Sequence, residues 1–285
     1  MTERQRTGRA TGAASGDGPR AIFGDEAGRA APGGDGADPD TGMALSEFIA
    51  RIEAARTARA IWHAALDFFN RRGVRMVSYH YYGGPDGEPV IRADGFPDDW
   101  VNHYVEDKLF RVDPIPELAA RSTAPFFWSD AATLTALLDT QAAYLDELRA
   151  ARLGEGLGVP VFGPPGCDGY VGLGFGGGRP ALSPHAVREL QVAAQAGHLV
   201  YCGMRAGDRQ TRTALSLRER EVLHWIARGK SNSVISEIMG VSPHTVDTHV
   251  RRIFDKLGVT DRTSAAIEGL GSGLLMSVPA PTGGR

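Results

Sequence analysis

Trp100 and Tyr104 stand four residues apart, Asp113-Pro114 follows after eight intervening residues, and Trp128 after thirteen more. An indole N–H, a phenol and a carboxylate can fix a small polar group by directed hydrogen bonds. Aromatic walls around them can bury an apolar remainder, and that mixture is the make-up of a small-molecule pocket. Taken singly, each has a plainer use: aromatics four apart share a helix face and serve as core, and Asp-Pro opens a turn. A second set lies near the C-terminus. His244, Thr245, Asp247, Thr248, Arg251 and Arg252 point away from an apolar stripe formed by Val246, Val250, Ile253 and Leu257. Thr245 and Thr248 suit phosphate or base contact. Arg251 and Arg252 can bond guanine edges bidentately or hold phosphates, while Lys230 and Lys256 can reach a nucleic-acid backbone.

The second set needs a scaffold, and the surrounding residues describe one. Ser216 and Glu219 form an S-x-x-E capping box ahead of Val222, Leu223 and Ile226, and Gly229 ends that helix. A short helix follows over 233–239. Gly240-Val241-Ser242 makes the turn, and Ser242 caps a helix opened by Pro243. A last helix begins near Arg262. Two short helices joined by a tight turn and braced on both sides make a helix-turn-helix, whose second member enters the major groove of double-stranded DNA.

The first set needs a different frame. The spacing predicts helix over 46–72, broken once, and a strand over 74–82, where Val77, Tyr79 and Tyr81 alternate so that one set faces pocket or core. Turn residues 83–87 lead into a second strand over 89–92. Helices are predicted over 97–107, over 133–153 on Leu134, Leu137, Leu138, Tyr144, Leu145 and Leu148, and over 183–204 behind the cap Ser183. Strands over 156–162 and 169–175 are joined by the turn 163–168. The fold class is therefore α+β: an N-terminal α/β/α sandwich with an antiparallel sheet over 44–204, then an all-α four-helix domain over 215–276. Residues 1–43 lack large apolar side chains and read as a disordered tail. Residues 205–214 read as a linker and 277–285 as a flexible C-terminus.

The formal net charge of -3 does not mark a nucleic-acid binder, although the average can hide a basic patch on one small domain. Cys167 and Cys202 lie far apart and form no metal-ligand or redox spacing. Neither a signal peptide nor a membrane-length apolar run is present, so a cytoplasmic protein without membrane contact is expected. The chain has no P-loop, no receiver-domain pattern of acidic residues and no nucleophile elbow, and Gly172, Gly174 and Gly176 miss the dinucleotide spacing. An enzyme is not expected, and no cofactor.

The segment 215–259 resembles the LuxR-type helix-turn-helix, meeting its pattern at Glu219, Leu223, Gly229, Ile235, Thr245, Val246, His249, Lys256 and Leu257. The spacing W-x3-Y-x8-D-P-x13-W, followed by Gly156 and Pro160, resembles the autoinducer-binding domain of LuxR-type quorum-sensing regulators. That resemblance implies an N-acyl homoserine lactone as effector, a homodimer on an inverted-repeat promoter site, and RNA polymerase as a further partner. It implies that Trp100 donates to the lactone carbonyl, Asp113 accepts from the ligand amide, Tyr104 lines the acyl chain and Trp128 packs on the lactone ring. Two positions depart from the family. Phe96 stands where a Tyr often bonds the acyl carbonyl, and Phe175 stands where a Ser or Thr often closes the last pocket strand. They motivate the alternative of an orphan regulator sensing another small molecule.

Overall fold

The computed structural model describes residues 22–23, 43–83, 89–210 and 214–275, with 22–23 and 206–210 described by backbone alone. The turn expected at 83–87 and the C-terminal stretch 277–285 lie almost wholly outside these residues. So does the expected tail, apart from β1 (Ile22–Phe23), which runs parallel to Arg92 and Ala93, and the buried Met43.

The remaining strands are β2 (Met76–Tyr81), β3 (Val90–Asp94), β4 (Phe126–Phe127), β5 (Gly156–Val161) and β6 (Gly169–Gly174). They form one sheet in the order β1-β3-β2-β6-β5-β4, antiparallel throughout except at β1. Helices α1 (Leu45–Glu53), α2 (Ala58–Asn70) and α7 (Pro184–Gln210) cover one face. Helices α3 (Asp98–Glu106), α4 (Pro114–Ala120), α5 (Ala131–Leu134) and α6 (Asp139–Ala150) cover the other. The sheet thus separates two cores. Phe48, Ile52, Phe68, Leu157 and Leu173 belong to the first. Ile91, Ile115, Phe126, Trp128 and Tyr170 belong to the second. The expected α/β/α sandwich is present.

Local chemistry explains most boundaries. The break between α1 and α2 falls at Thr57, whose hydroxyl accepts from the Ala60 N–H and starts the second helix. Asp113 does more than open a turn. It caps α4 by accepting from the Ile115 N–H, with Pro114 in the first turn where its missing N–H costs nothing. The helix expected over 133–153 is divided, because Thr135 is extended and ends α5 before α6 begins at Asp139. Leu134 and Leu138 are consequently exposed and not part of a buried stripe. Helix α7 runs on to Gln210, through the first half of the stretch read as a linker.

The C-terminal domain comprises α8 (Leu217–Ala227), α9 (Asn232–Met239), α10 (Pro243–Leu257) and α11 (Arg262–Gly271). Val222, Leu223, Ile235, Val246 and Ile253 are fully buried, each contributing about 1.5–3 kcal/mol. With so few core residues, the caps matter. Ser216, Ser231, Ser242 and Asp261 each accept from the first turn of the helix that follows. Gly240 ends α9 at φ 64°, a left-handed turn that a side chain would oppose.

Candidate ligand cavity and nucleic-acid interface

Between the sheet and helices α3, α4 and α6 lies a cavity with about 520 Å³ of empty space, its open mouth included. Phe96, Trp100, Tyr104, Asp113 and Trp128 all line it. Residues distant in sequence converge because α3 presents Trp100 and Tyr104 on one face while the α4 cap sets Asp113 opposite them.

Asp113 is the electrostatic centre. Its Oδ1 accepts from the Ile115 N–H at 2.9 Å, and its Oδ2 accepts from the hydroxyls of Tyr104 at 2.9 Å and Tyr144 at 3.1 Å. A carboxylate offers about four acceptor positions, so one remains for a ligand donor. Burial pushes its pKa up to about 6, against the three hydrogen bonds, which favour the charged form. Burial and the neighbouring carboxylate hold the Tyr104 and Tyr144 hydroxyls well above the usual phenol range, so both remain donors. Trp128 donates its indole N–H to the Tyr170 hydroxyl at 3.0 Å and offers only its faces to a ligand. Gly156 lies outside the lining but sets the position of Trp128: a Cβ there would come within 2.4 Å of the indole ring. Outside the cavity, His103 joins α3 to α6 by hydrogen bonds to Asp107 at 2.6 Å and to Glu147.

Three expected pocket residues are elsewhere. Tyr79 and Tyr81 point to the opposite face of the sheet, into the core beneath α7. There the Tyr79 hydroxyl bonds His198 Nδ1 at 2.8 Å, and Tyr81 donates to Cys167 Sγ at 3.4 Å. Phe175 follows the end of β6 and packs into that same core; Gly174, one residue earlier, has the cavity-side position. A one-residue step along a strand reverses the face. Sequence reasoning missed Ser78, His80, Tyr144 and Tyr170, all of which line the cavity. The available signal was Ser78 and His80, polar residues alternating with Tyr79 inside an otherwise apolar strand.

In the C-terminal domain His244, Arg251 and Arg252 are exposed on α10, and Thr245 and Thr248 are partly exposed beside them. Ser242 is occupied as the cap, its Oγ accepting from the Thr245 N–H at 3.1 Å. Thr248 donates to the His244 carbonyl at 3.0 Å. Lys230 is exposed in the loop before α9. Two further expected contacts, Asp247 and Lys256, have internal partners. Asp247 accepts from Asn232 Nδ2 at 2.7 Å, and Asn232 in turn accepts from Arg262 at 2.8 Å, tying α9, α10 and α11 together. Lys256 donates to Glu219 at 2.7 Å and to the Ala214 carbonyl at 3.2 Å. Burial opposes the Glu219 charge, but Lys256 and the Ser216 N–H and hydroxyl outweigh it, and its pKa is lowered.

Residues 57–201 match the autoinducer binding domain family, and residues 213–268 match the bacterial regulatory proteins of the luxR family. The chain belongs to the LuxR family of autoinducer-binding, DNA-binding transcriptional regulators. Among its LuxR-family relatives is the transcriptional activator protein BjaR1 of Bradyrhizobium diazoefficiens, 28% identical over 228 residues that cover 79% of this chain and 93% of that protein. The quorum sensing-dependent transcriptional regulator RpaR of Rhodopseudomonas palustris is 33% identical over 188 residues, covering 64% of this chain and 74% of that one. These relatives are regulators and not enzymes. The crystal structure of Escherichia coli SdiA has the same fold, with a TM-score of 0.67 at 20% identity, over 82% of this chain and 98% of that one. No helix among the described residues is long and apolar enough to cross a membrane.

Proposed function

We propose that this LuxR-family chain is a cytoplasmic quorum-sensing regulator whose cavity binds an N-acyl homoserine lactone. As a homodimer it would present two copies of α10 to an inverted-repeat promoter site and act on RNA polymerase from there. The observation that carries the reading is the open acceptor position on Asp113, set among Tyr104, Tyr144 and Trp100 in a largely apolar cavity. An amide N–H fills that position with a charge-assisted hydrogen bond, the Trp100 indole can donate to a ring carbonyl, and the walls can bury an acyl chain. Trp128, seated on Gly156, would hold the lactone ring. Effector burial would add to the stability of the N-terminal domain by linkage.

The test is to express the full chain in cells supplied with a mixture of acyl homoserine lactones, purify it and identify what it retains by mass spectrometry. A retained lactone is expected. Folded protein without one would favour the orphan alternative, for which Phe96 is the motivating residue: it lines the cavity and has no hydroxyl for an acyl carbonyl.

On the DNA side, Arg251→Ala is expected to weaken operator binding by about tenfold, the scale of one lost arginine contact. The melting temperature should stay unchanged, because Arg251 is exposed. Gel-shift titrations on wild-type and variant dimers would check it, and equal affinity would remove Arg251 from the interface. A uniform loss across operator sequences with a shallower salt dependence would make it a phosphate contact and not a base reader.

A further inference from the structure

The cavity has a second polar pole, on the sheet and away from Asp113. Ser78 and His80 are successive cavity-facing residues of β2, and Tyr170 on β6 is paired directly with His80. The His80 side chain is buried, with its ring edge-on to Tyr104 at 5.8 Å and to Tyr170 at 5.3 Å. Its Nδ1 has no hydrogen-bond partner. Burial drives its pKa down to about 3, so the ring is neutral, with one donor and one acceptor nitrogen. Tyr170 accepts from Trp128 and keeps its own proton to give. Between these groups β6 has Gly172, where a Cβ would lie 2.5 Å from Ser78 Oγ and 2.8 Å from the Tyr170 hydroxyl. The bare Gly172 backbone thus lets the Ser78 and Tyr170 hydroxyls lie close together, on the same sheet face as the His80 ring.

A buried polar atom without a partner is disfavoured unless something supplies the missing bond. An alkyl chain laid across this floor supplies nothing. An oxygen on that chain can accept from Ser78, Tyr170 or His80, and a hydroxyl can also donate. We propose that this pole reads a hydrogen-bonding oxygen on the acyl group, so that the preferred effector is an acyl lactone with a keto or hydroxyl substituent and His80 determines that preference. The proposal rests on the reading of the cavity as an acyl-lactone site.

The test measures affinities of the full chain for the octanoyl lactone and for its β-oxo and β-hydroxy derivatives by calorimetric titration, in wild type, His80→Leu and Ser78→Ala. Wild type is expected to bind an oxygenated lactone about tenfold more tightly than the plain one, the scale of one net hydrogen bond. His80→Leu is expected to abolish the preference while still binding the plain lactone. Equal affinities in wild type would overturn the proposal without touching the lactone reading. An equal loss for all ligands in His80→Leu would also overturn it, since His80 would then be reading the shared amide carbonyl. Binding of none of the lactones would overturn the underlying reading and this proposal with it. Should His80→Leu fail to fold, the wild-type comparison and Ser78→Ala still decide the matter.

Discussion

Asp113→Asn is expected to weaken acyl-lactone binding by tenfold to about a hundredfold, the scale of one charge-assisted hydrogen bond. The variant keeps the shape of the side chain and changes its chemistry. Oδ1 and Oδ2 now accept only, from the Ile115 N–H and from two phenols. An amide must direct its NH2 at one of those donors and loses the acceptor left for the ligand. A pH signature should accompany the loss. In the ligand-free chain Asp113 titrates near 6, above its unfolded value, so on its account stability rises as pH falls through 6. A ligand N–H favours the carboxylate and pulls the pKa back down, so binding expels a proton below pH 6. Wild-type affinity should fall by about tenfold between pH 7 and pH 5, and the Asn variant should show a flat profile. Titrations across that range would check both. A profile that persists in the variant would pass the titration to another group, with His103 the first to examine. Its ring N–H groups donate to Glu147 and Asp107, and these hydrogen bonds raise its pKa.

The second large effect concerns the DNA-binding domain. Lys256→Met should cost about 1–2 kcal/mol, because it removes the partly exposed ammonium from Glu219, a carboxylate only 3% exposed that keeps its bond from the Ser216 N–H. A domain with so small a core has little reserve, so its thermal transition should fall by many degrees in calorimetry of the full chain, with operator binding lost at the same temperature. The double variant Lys256→Met, Glu219→Gln should recover most of the loss, since no buried charge is then left alone. The lowered pKa of Glu219 sets the sign with pH. Its contribution is present above the ordinary carboxylate range and fades as pH falls through the folded value. An unchanged transition together with weaker DNA binding would return Lys256 to the phosphate backbone.

The contrast between these two sites shows what a sequence can reveal. Caps and turns are local, so Ser216 with Glu219, Gly240 and Ser242 were legible, and with them the helix-turn-helix. Trp100, Tyr104, Asp113 and Trp128 were legible as a pattern, and the structure brings them to one cavity. Faces were harder. In β2 both alternations have large or polar residues and both sides are covered by helices, so no solvent face orients the strand. Tyr79 and Tyr81 were therefore no less plausible as lining than Ser78 and His80, which occupy the cavity. Tyr144 and Tyr170 reach Asp113 and Trp128 from elements 31 and 42 residues away, and nothing local announces such a meeting. Lys256 is the same lesson in reverse: a cation at the end of α10 whose partner lies 37 residues upstream.

The sheet that separates two cores has a consequence for how this regulator ages. Each core holds a cavity, the one beneath α3 and α6 floored by Ser78, His80 and Tyr170, and the one beneath α7 walled by Trp62, Phe69, Tyr79 and Tyr201. An effector seated among Trp100, Tyr104 and Asp113 adds contacts to the α3–α6 layer, so protease attack or amide exchange should slow there and leave the α7 layer unchanged. Effector abundance would thereby be written into the lifetime of the molecule, and the promoter would respond to how many survivors have accumulated.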